Sequence, residues 1–129
     1  MSKSLKAIRA QRFKNFKSRS SKALYILFVK RKIISAIENK FVLRFIYNGE
    51  LRIVEPQTYG MGKTGKEILR ARQIGGGSRS GQSRMAKLFE VEKISALAKT
   101  GGRFCKALPE HNPNDSAMIK VFASLPDPN

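Results

Sequence analysis

The stretch FVLRFIYNGELRIVEP, residues 41–56, decides the fold class. Its first seven residues, Phe41–Tyr47, are dense in β-branched and aromatic types, which favour a strand. Asn48-Gly49 is the dipeptide most typical of a two-residue hairpin turn, because both residues accept a positive φ. Leu51–Glu55 predicts the return strand, and Pro56 predicts a strand end or edge because proline cannot donate to a sheet ladder. The alternative is that the strand continues, bent, through Gln57–Met61. The stretch therefore predicts an antiparallel β-hairpin.

Short elements separated by glycine-rich turns surround this hairpin. We expect a turn at Gly60–Gly65, a strand or short helix at Glu67–Ile74 and a strand at Lys87–Val91 that runs into a helical turn. Helical spacing predicts one helix before the hairpin, at Lys32–Asn39. A cap at Asn114-Asp115-Ser116 and a stop at Pro126 predict another at the C-terminal end, at Ala117–Leu125. The pattern predicts a mainly β fold with flanking helices, a small barrel with an N-terminal and a C-terminal helix.

The turn at 60–66, GMGKTGK, matches two phosphate-binding patterns, G-x-G-x-x-G and the start of G-x-x-x-x-G-K-[ST]. The residue after Lys66 is Glu67 instead of Ser or Thr, and its carboxylate would repel a phosphate. Both patterns also require a helix directly after the glycines. Arg70 and Arg72 interrupt any apolar helical face there. We interpret the motif as a hairpin turn.

Charge is the strongest compositional signal. The chain has 129 residues with 26 Lys or Arg and 9 Asp or Glu, a net charge of +17. Such a balance favours a polyanionic partner, and the length fits one domain. The single cysteine excludes an intrachain disulfide and favours the reducing cytoplasm. The longest apolar run, Ala23–Val29, is far shorter than the roughly 20 residues of a membrane helix, so we expect no membrane partner.

Candidates for catalysis and metal binding are few. One histidine, His111, and one cysteine, Cys105, are too few for a zinc site, so we expect no metal and no cofactor. His111 follows Pro109 in a turn-like stretch and is interpreted as a surface histidine, whereas Cys105 is interpreted as a small buried residue. We find no catalytic residue and expect a binding protein instead of an enzyme.

The first 32 residues form a basic N-terminal extension. They contain eleven Lys or Arg and no acid. An amphipathic helix on a membrane, an organelle transit peptide and a solvated, partly disordered arm are all compatible with this composition. We favour the arm, with Ala23–Val29 packed on the domain, and place the folded domain at residues 33–129.

Basic residues in the middle of the chain are the candidates for binding an anion. Arg70 and Arg72 lie two apart and would face the same side of a strand, where Arg52 could join them. Tyr47 or Tyr59 could stack a base beside them. The alternative is that these side chains are separately solvated.

The order of several short segments resembles the WYL domain, and most closely its stand-alone forms without a helix-turn-helix. The segments are Ile33–Ile37, Val42–Tyr47, Arg52–Pro56, Tyr59-Gly60, Leu69–Ala71, Lys87–Ile94 and Asn112–Met118. The family's eponymous Trp-Tyr-Leu falls on Glu67-Ile68-Leu69, so only the leucine matches. The resemblance implies a small, strongly bent Sm-like barrel that senses ligands through a basic groove. It places Arg52, Lys87 and Lys93 in that groove.

The resulting hypothesis is a non-enzymatic, regulatory module that binds single-stranded nucleic acid or a nucleotide-like anion. Its candidate binding residues are Arg52, Tyr59, Arg70, Arg72, Lys87 and Lys93. The alternative is a protein-interaction subunit that partners a separate regulator or nuclease, or a second copy of itself, through the apolar run at 23–29.

Overall fold

The computed structural model describes residues 19–77 and 85–128. These residues form one helix, six strands and one 3-10 turn. In chain order the elements are α1 (Arg19–Asn39), β1 (Phe41–Tyr47), β2 (Glu50–Gly62), β3 (Glu67–Gly76), β4 (Lys87–Glu90), the 3-10 turn (Val91–Lys93), β5 (Ser95–Arg103) and β6 (Met118–Ser124). The chain divides into two units, Met1–Arg31 and Lys32–Asn129, beside the change in composition at residue 32. Most of the basic extension, residues 1–18, lies outside the described residues.

The two turns predicted from glycine are confirmed. Asn48 and Gly49 have φ of 52° and 76°, and β1 pairs with β2 directly across them. At the second turn, Gly65 has φ of 83° and the Gly62 amide donates to the Lys66 carbonyl at 2.7 Å. The element that follows is β3, a strand, so GMGKTGK is a hairpin turn and the helix that a phosphate loop needs is not there.

The strands form one antiparallel sheet in the order β4-β3-β2-β1-β5, and β6 pairs with the second half of β2. In the described residues the sheet is open, with β4 and β5 at its two ends. The closed Sm-like barrel that we expected is therefore not formed by these strands. Of the two outcomes expected at Pro56, a strand end or a bent continuation through Gln57–Met61, the structure has the continuation. The strand continues to Gly62, and the register shifts between Pro56 and Thr58, so the proline lies at a bulge.

The predicted C-terminal helix is wrong, since Met118–Ser124 is the strand β6. The segment contains the β-branched Ile119 and Val121, and the free backbone groups of β2 offer it a partner about sixty residues away. The helical turn predicted through Ile94 and Leu97 is found only as the 3-10 turn Val91–Lys93, and it is followed by the strand β5, which pairs with β1. In both cases pairing with a distant strand outweighs the local helical signal.

The core of the Lys32–Asn129 unit lies on one face of the sheet and on the C-terminal half of α1. The helix predicted at Lys32–Asn39 is confirmed, although α1 begins earlier, and its Ile33 and Ile37 are at most 1% exposed. Phe45 of β1 and Phe89 of β4 are buried and meet edge to face, with ring centroids 5.1 Å apart. These rings hold the ends of β1 and β4 together, where the basic groove was expected.

Candidate functional site

The aromatic ring of Tyr47, the last residue of β1, lies at the centre of the candidate site. It is half-buried, and its ring contacts Phe89 edge to face at 5.0 Å. The backbone amide of Glu90 donates a hydrogen bond of 3.1 Å to the Tyr47 hydroxyl. The ring is therefore fixed at both its apolar body and its polar tip. Tyr47 thus provides a rigid wall between β1 and β4.

Arg52 is held against this wall. It pairs with Phe45 across β1 and β2, and only 9% of the residue is exposed. Its Nη2 donates to the Tyr47 carbonyl at 3.3 Å, and its guanidinium carbon lies 5.7 Å from the centre of the Tyr47 ring. Its Nε is buried with no hydrogen-bond partner among the described residues. The carboxylate of Glu50 is 3.9 Å from Nη2, at the limit of an ion pair. The guanidinium is thus oriented but incompletely satisfied.

Gln73 joins Arg52 to a second cation, Lys87. Gln73 is fully buried on β3, and its Oε1 accepts a hydrogen bond of 3.2 Å from Arg52 Nη1. Lys87 is opposite Ala71 in the β3–β4 pairing, so its side chain is on the same face as Gln73. Its Nζ lies 3.5 Å from the same Oε1. Two positive groups therefore converge on one uncharged acceptor.

Lys93 lies on another side of Tyr47 and is already paired. Its Nζ is 2.6 Å from the Glu90 carboxylate, which also lies 3.4 Å from Lys66 Nζ. The hydrogen bond from Lys93 is the main cause that lowers the pKa of Glu90. Glu90 in turn raises the pKa of Lys93, and the Tyr47 hydroxyl adds a smaller contribution in the same direction. Lys93 thus neighbours Tyr47, but a carboxylate offsets its charge.

The arginines chosen from strand spacing do not join this group. Arg70 and Arg72 alternate with Leu69, Ala71 and Gln73 along β3 and so face the other side of the sheet. Arg70 donates through Nε and Nη2 to the buried carboxylate of Asp115. Arg72 Nη1 lies 3.8 Å from Glu55 on the neighbouring strand.

Tyr59 is part of the core. Its residue is fully buried, its ring contacts Phe122 at 5.1 Å, and its hydroxyl donates to Glu67. Burial, followed by the hydrogen bond to Glu67, raises the pKa of the Tyr59 hydroxyl. A base cannot stack on a ring that has no exposed face, so Tyr47 is the aromatic residue available at the site.

The spacing of basic residues in the sequence did not identify Gln73 as a site residue, although its side chain connects Arg52 to Lys87. A signal for it exists in the sequence. Leu69 and Ala71 are apolar at alternate positions of β3, and Gln73 continues the same face with a polar side chain. A polar residue on the apolar face of a strand must be hydrogen-bonded, and its partner is then a residue of interest.

The burial of the two residues considered for catalysis is the reverse of what the sequence predicted. His111 is buried, with Nε2 2.8 Å from the Leu125 carbonyl, whereas Cys105 is exposed. In residues 19–77 and 85–128, no three His, Cys, Asp or Glu side chains come together as metal ligands would. None of the described helical segments combines the length and apolarity needed to cross a bilayer.

No protein-family model, curated protein or solved structure was found to match this chain. The functional conclusion therefore depends on the geometry around Tyr47 and on the residues that form it.

Proposed function

We propose that the chain is a non-enzymatic, WYL-like module that binds single-stranded nucleic acid or a nucleotide-like anion at Arg52 and Lys87, with Tyr47 as the aromatic wall and Lys93 at the margin. The observation that carries the proposal is the convergence of Arg52 and Lys87 on Gln73 Oε1. Arg52 and Lys87 meet at an uncharged amide, and a phosphate or carboxylate oxygen placed there would accept charge-assisted hydrogen bonds from both.

Of the three residues that the WYL resemblance places in a basic groove, Arg52 lies over the Tyr47 ring, Lys87 meets Arg52 at Gln73, and Lys93 pairs with Glu90. The arginines selected only for spacing on a strand lie elsewhere. The resemblance supports the choice of Arg52, Lys87 and Lys93, and the orphan Nε of Arg52 adds a buried donor that lacks an acceptor. The overall charge of +17 favours the same class of ligand.

Replacing Lys87 by glutamine tests the proposal. We expect the affinity of the protein for a single-stranded oligonucleotide to fall roughly tenfold, because one charge-assisted contact is removed. The slope of log affinity against log salt should become shallower by about 0.7, the contribution of one neutralised phosphate. Fluorescence anisotropy with labelled DNA and RNA at several salt concentrations measures both quantities.

Lys106→Gln is the matched control, because Lys106 is an exposed lysine outside the group around Tyr47. It should change the affinity and the slope much less than Lys87→Gln does. Competition by a mononucleotide tells whether a single nucleotide or an extended strand is the ligand. Equal effects of the two substitutions would mean that binding depends on total charge, and the proposed site would then be wrong.

The alternative function, an interaction subunit, has one observation in its favour. Within the first unit, Leu24, Ile26 and Leu27 are 68%, 56% and 43% exposed on α1. A cluster of exposed aliphatic residues within one helical turn is typical of a contact surface. If the surface joins two copies of the chain, the double substitution Leu24→Gln and Ile26→Gln should reduce self-association in analytical ultracentrifugation. A parent chain that is already monomeric at every concentration would contradict self-association.

A further inference from the structure

A cavity of about 290 Å³ lies beside the segment that connects β5 to β6. Arg70 contributes to it from β3, and Leu108, His111 and Asp115 contribute from the connecting segment. Because Arg70 faces away from Gln73 on β3, this cavity is distinct from the group around Tyr47. Its volume is near the lower end of the range for small-molecule sites, so it suits a compact ligand.

The charges around the cavity disfavour an anion. Arg70 is held by the buried carboxylate of Asp115, which also accepts a hydrogen bond of 2.9 Å from the Ala117 amide. Burial is the largest influence on the pKa of Asp115 and raises it, but Arg70 and the Ala117 amide outweigh burial and lower it. Asp115 is thus ionised, and Glu110 brings a second carboxylate to the lining. A phosphate in this cavity would meet two negative groups and one guanidinium that is already paired.

His111 brings a buried imidazole to the lining of the cavity. The residue is nine-tenths buried, and its Nε2 lies 2.8 Å from the Leu125 carbonyl. Since a carbonyl oxygen can only accept, Nε2 carries a hydrogen and donates. The other ring nitrogen, Nδ1, has no hydrogen-bond partner among the described residues. A polar group of a ligand would give it one.

We propose that this cavity binds a small uncharged planar heterocycle that carries hydrogen-bond donors, of the nucleobase class. The Glu110 carboxylate suits ring N–H and exocyclic amino groups, while the His111 Nδ1 and the amide of Asn112 suit other polar atoms of the ring edge. Leu108 and Ala86 provide apolar contact for the faces of the heterocycle. None of the described residues that line the cavity is aromatic, which disfavours a sugar that would stack on a ring. The inference goes beyond the proposed anion site, because the ligand needs no phosphate.

Titration of the full chain with uncharged nucleosides tests the inference. Adenosine, guanosine, cytidine and uridine are added while the amide and side-chain NMR signals are recorded, and we expect saturable shifts at His111 and Leu108. Ala86→Leu should reduce nucleoside affinity at least tenfold by filling the cavity. Glu110→Gln replaces an exposed carboxylate and should weaken cytidine and adenosine severalfold while leaving uridine, which has no exocyclic amine, nearly unchanged.

Glu92→Gln is the matched control, because Glu92 is an exposed carboxylate on the 3-10 turn, outside the cavity lining. It should leave nucleoside binding unchanged, and so should Lys87→Gln, which separates this test from that of the anion site. The inference is overturned if no nucleoside binds at millimolar concentration, or if Ala86→Leu and Glu110→Gln have no effect on binding. Equal binding of uncharged methyl glycosides would overturn it as well.

Discussion

Replacing Gly60 by alanine is expected to lower the free energy of unfolding by about 3 kcal/mol, near the upper end for an overpacked site. A Cβ at this position would stand 2.2 Å from the carbonyl oxygen of Lys120 and 3.1 Å from Cα of Val121. Both obstacles are backbone atoms of β6 and cannot rotate away. Gly60 therefore allows β6 to approach β2 on the side opposite β3, and chemical denaturation should report the loss when it is replaced.

Gly77→Ala is the matched control, because a Cβ there has no atom within 4 Å and the residue has no positive φ. It should change the stability by less than about 0.5 kcal/mol, as an unstrained surface substitution does. If Gly60→Ala were equally harmless, the close contact between β2 and β6 would not exist in solution.

Replacing Arg70 by methionine is expected to destabilise the fold by about 3 kcal/mol, because it leaves the carboxylate of Asp115 buried with only the Ala117 amide as a partner. Adding Asp115→Asn removes the stranded charge and should recover part of the loss. Arg72→Met is the control, since its guanidinium lies 3.8 Å from Glu55 and is more than a third exposed. It should cost less than about 1 kcal/mol. Similar losses for both arginines would contradict the special role of the Arg70–Asp115 pair.

The same pair makes stability depend on pH. The pKa of Asp115 is lower in the folded chain than its ordinary value of 3.8. Its contribution is therefore fully present above about pH 4 and is lost as the pH falls through the lower, folded pKa. Acid unfolding of the parent chain, monitored by circular dichroism, should show a fall in the free energy of unfolding below pH 4. In the Arg70→Met chain most of this fall should be absent, because without the guanidinium the pKa of Asp115 in the folded chain is no longer lowered by that partner.

Local sequence predicted those parts of the sheet that form between neighbours along the chain. Asn48-Gly49 and the glycines at 60–66 specify their turns through backbone conformation, so the β1–β2 and β2–β3 hairpins could be predicted. The pairing of β6 with β2 could not, because no short-range signal states which strand will accept Met118–Ser124. The cap and stop residues around Ala117–Leu125 predicted a helix there, and pairing with the open edge of β2 overrode that local signal.

The candidate site was predictable only in part for a similar reason. Strand alternation correctly indicated that Arg70 and Arg72 share a face, but it could not reveal which charged partners they meet there. Asp115 is forty-five residues from Arg70 in sequence and neutralises it in the fold. Tyr59 shows the same limit, because an aromatic residue in a strand is compatible with either face and only the register shift at Pro56–Thr58 decides its burial.

The lateral attachment of β6 has a consequence for synthesis of the chain on the ribosome. β1 to β4 assemble from adjacent hairpins and can close soon after they emerge, whereas β6 closes a loop that spans the intervening fifty or more residues. Until Met118–Ser124 has emerged, the edge of β2 that pairs with β6 exposes unpaired amides and carbonyls. Chains that stop before β6 should therefore be prone to aggregation. Slow emergence of β6 would prolong the time during which a nascent chain can aggregate.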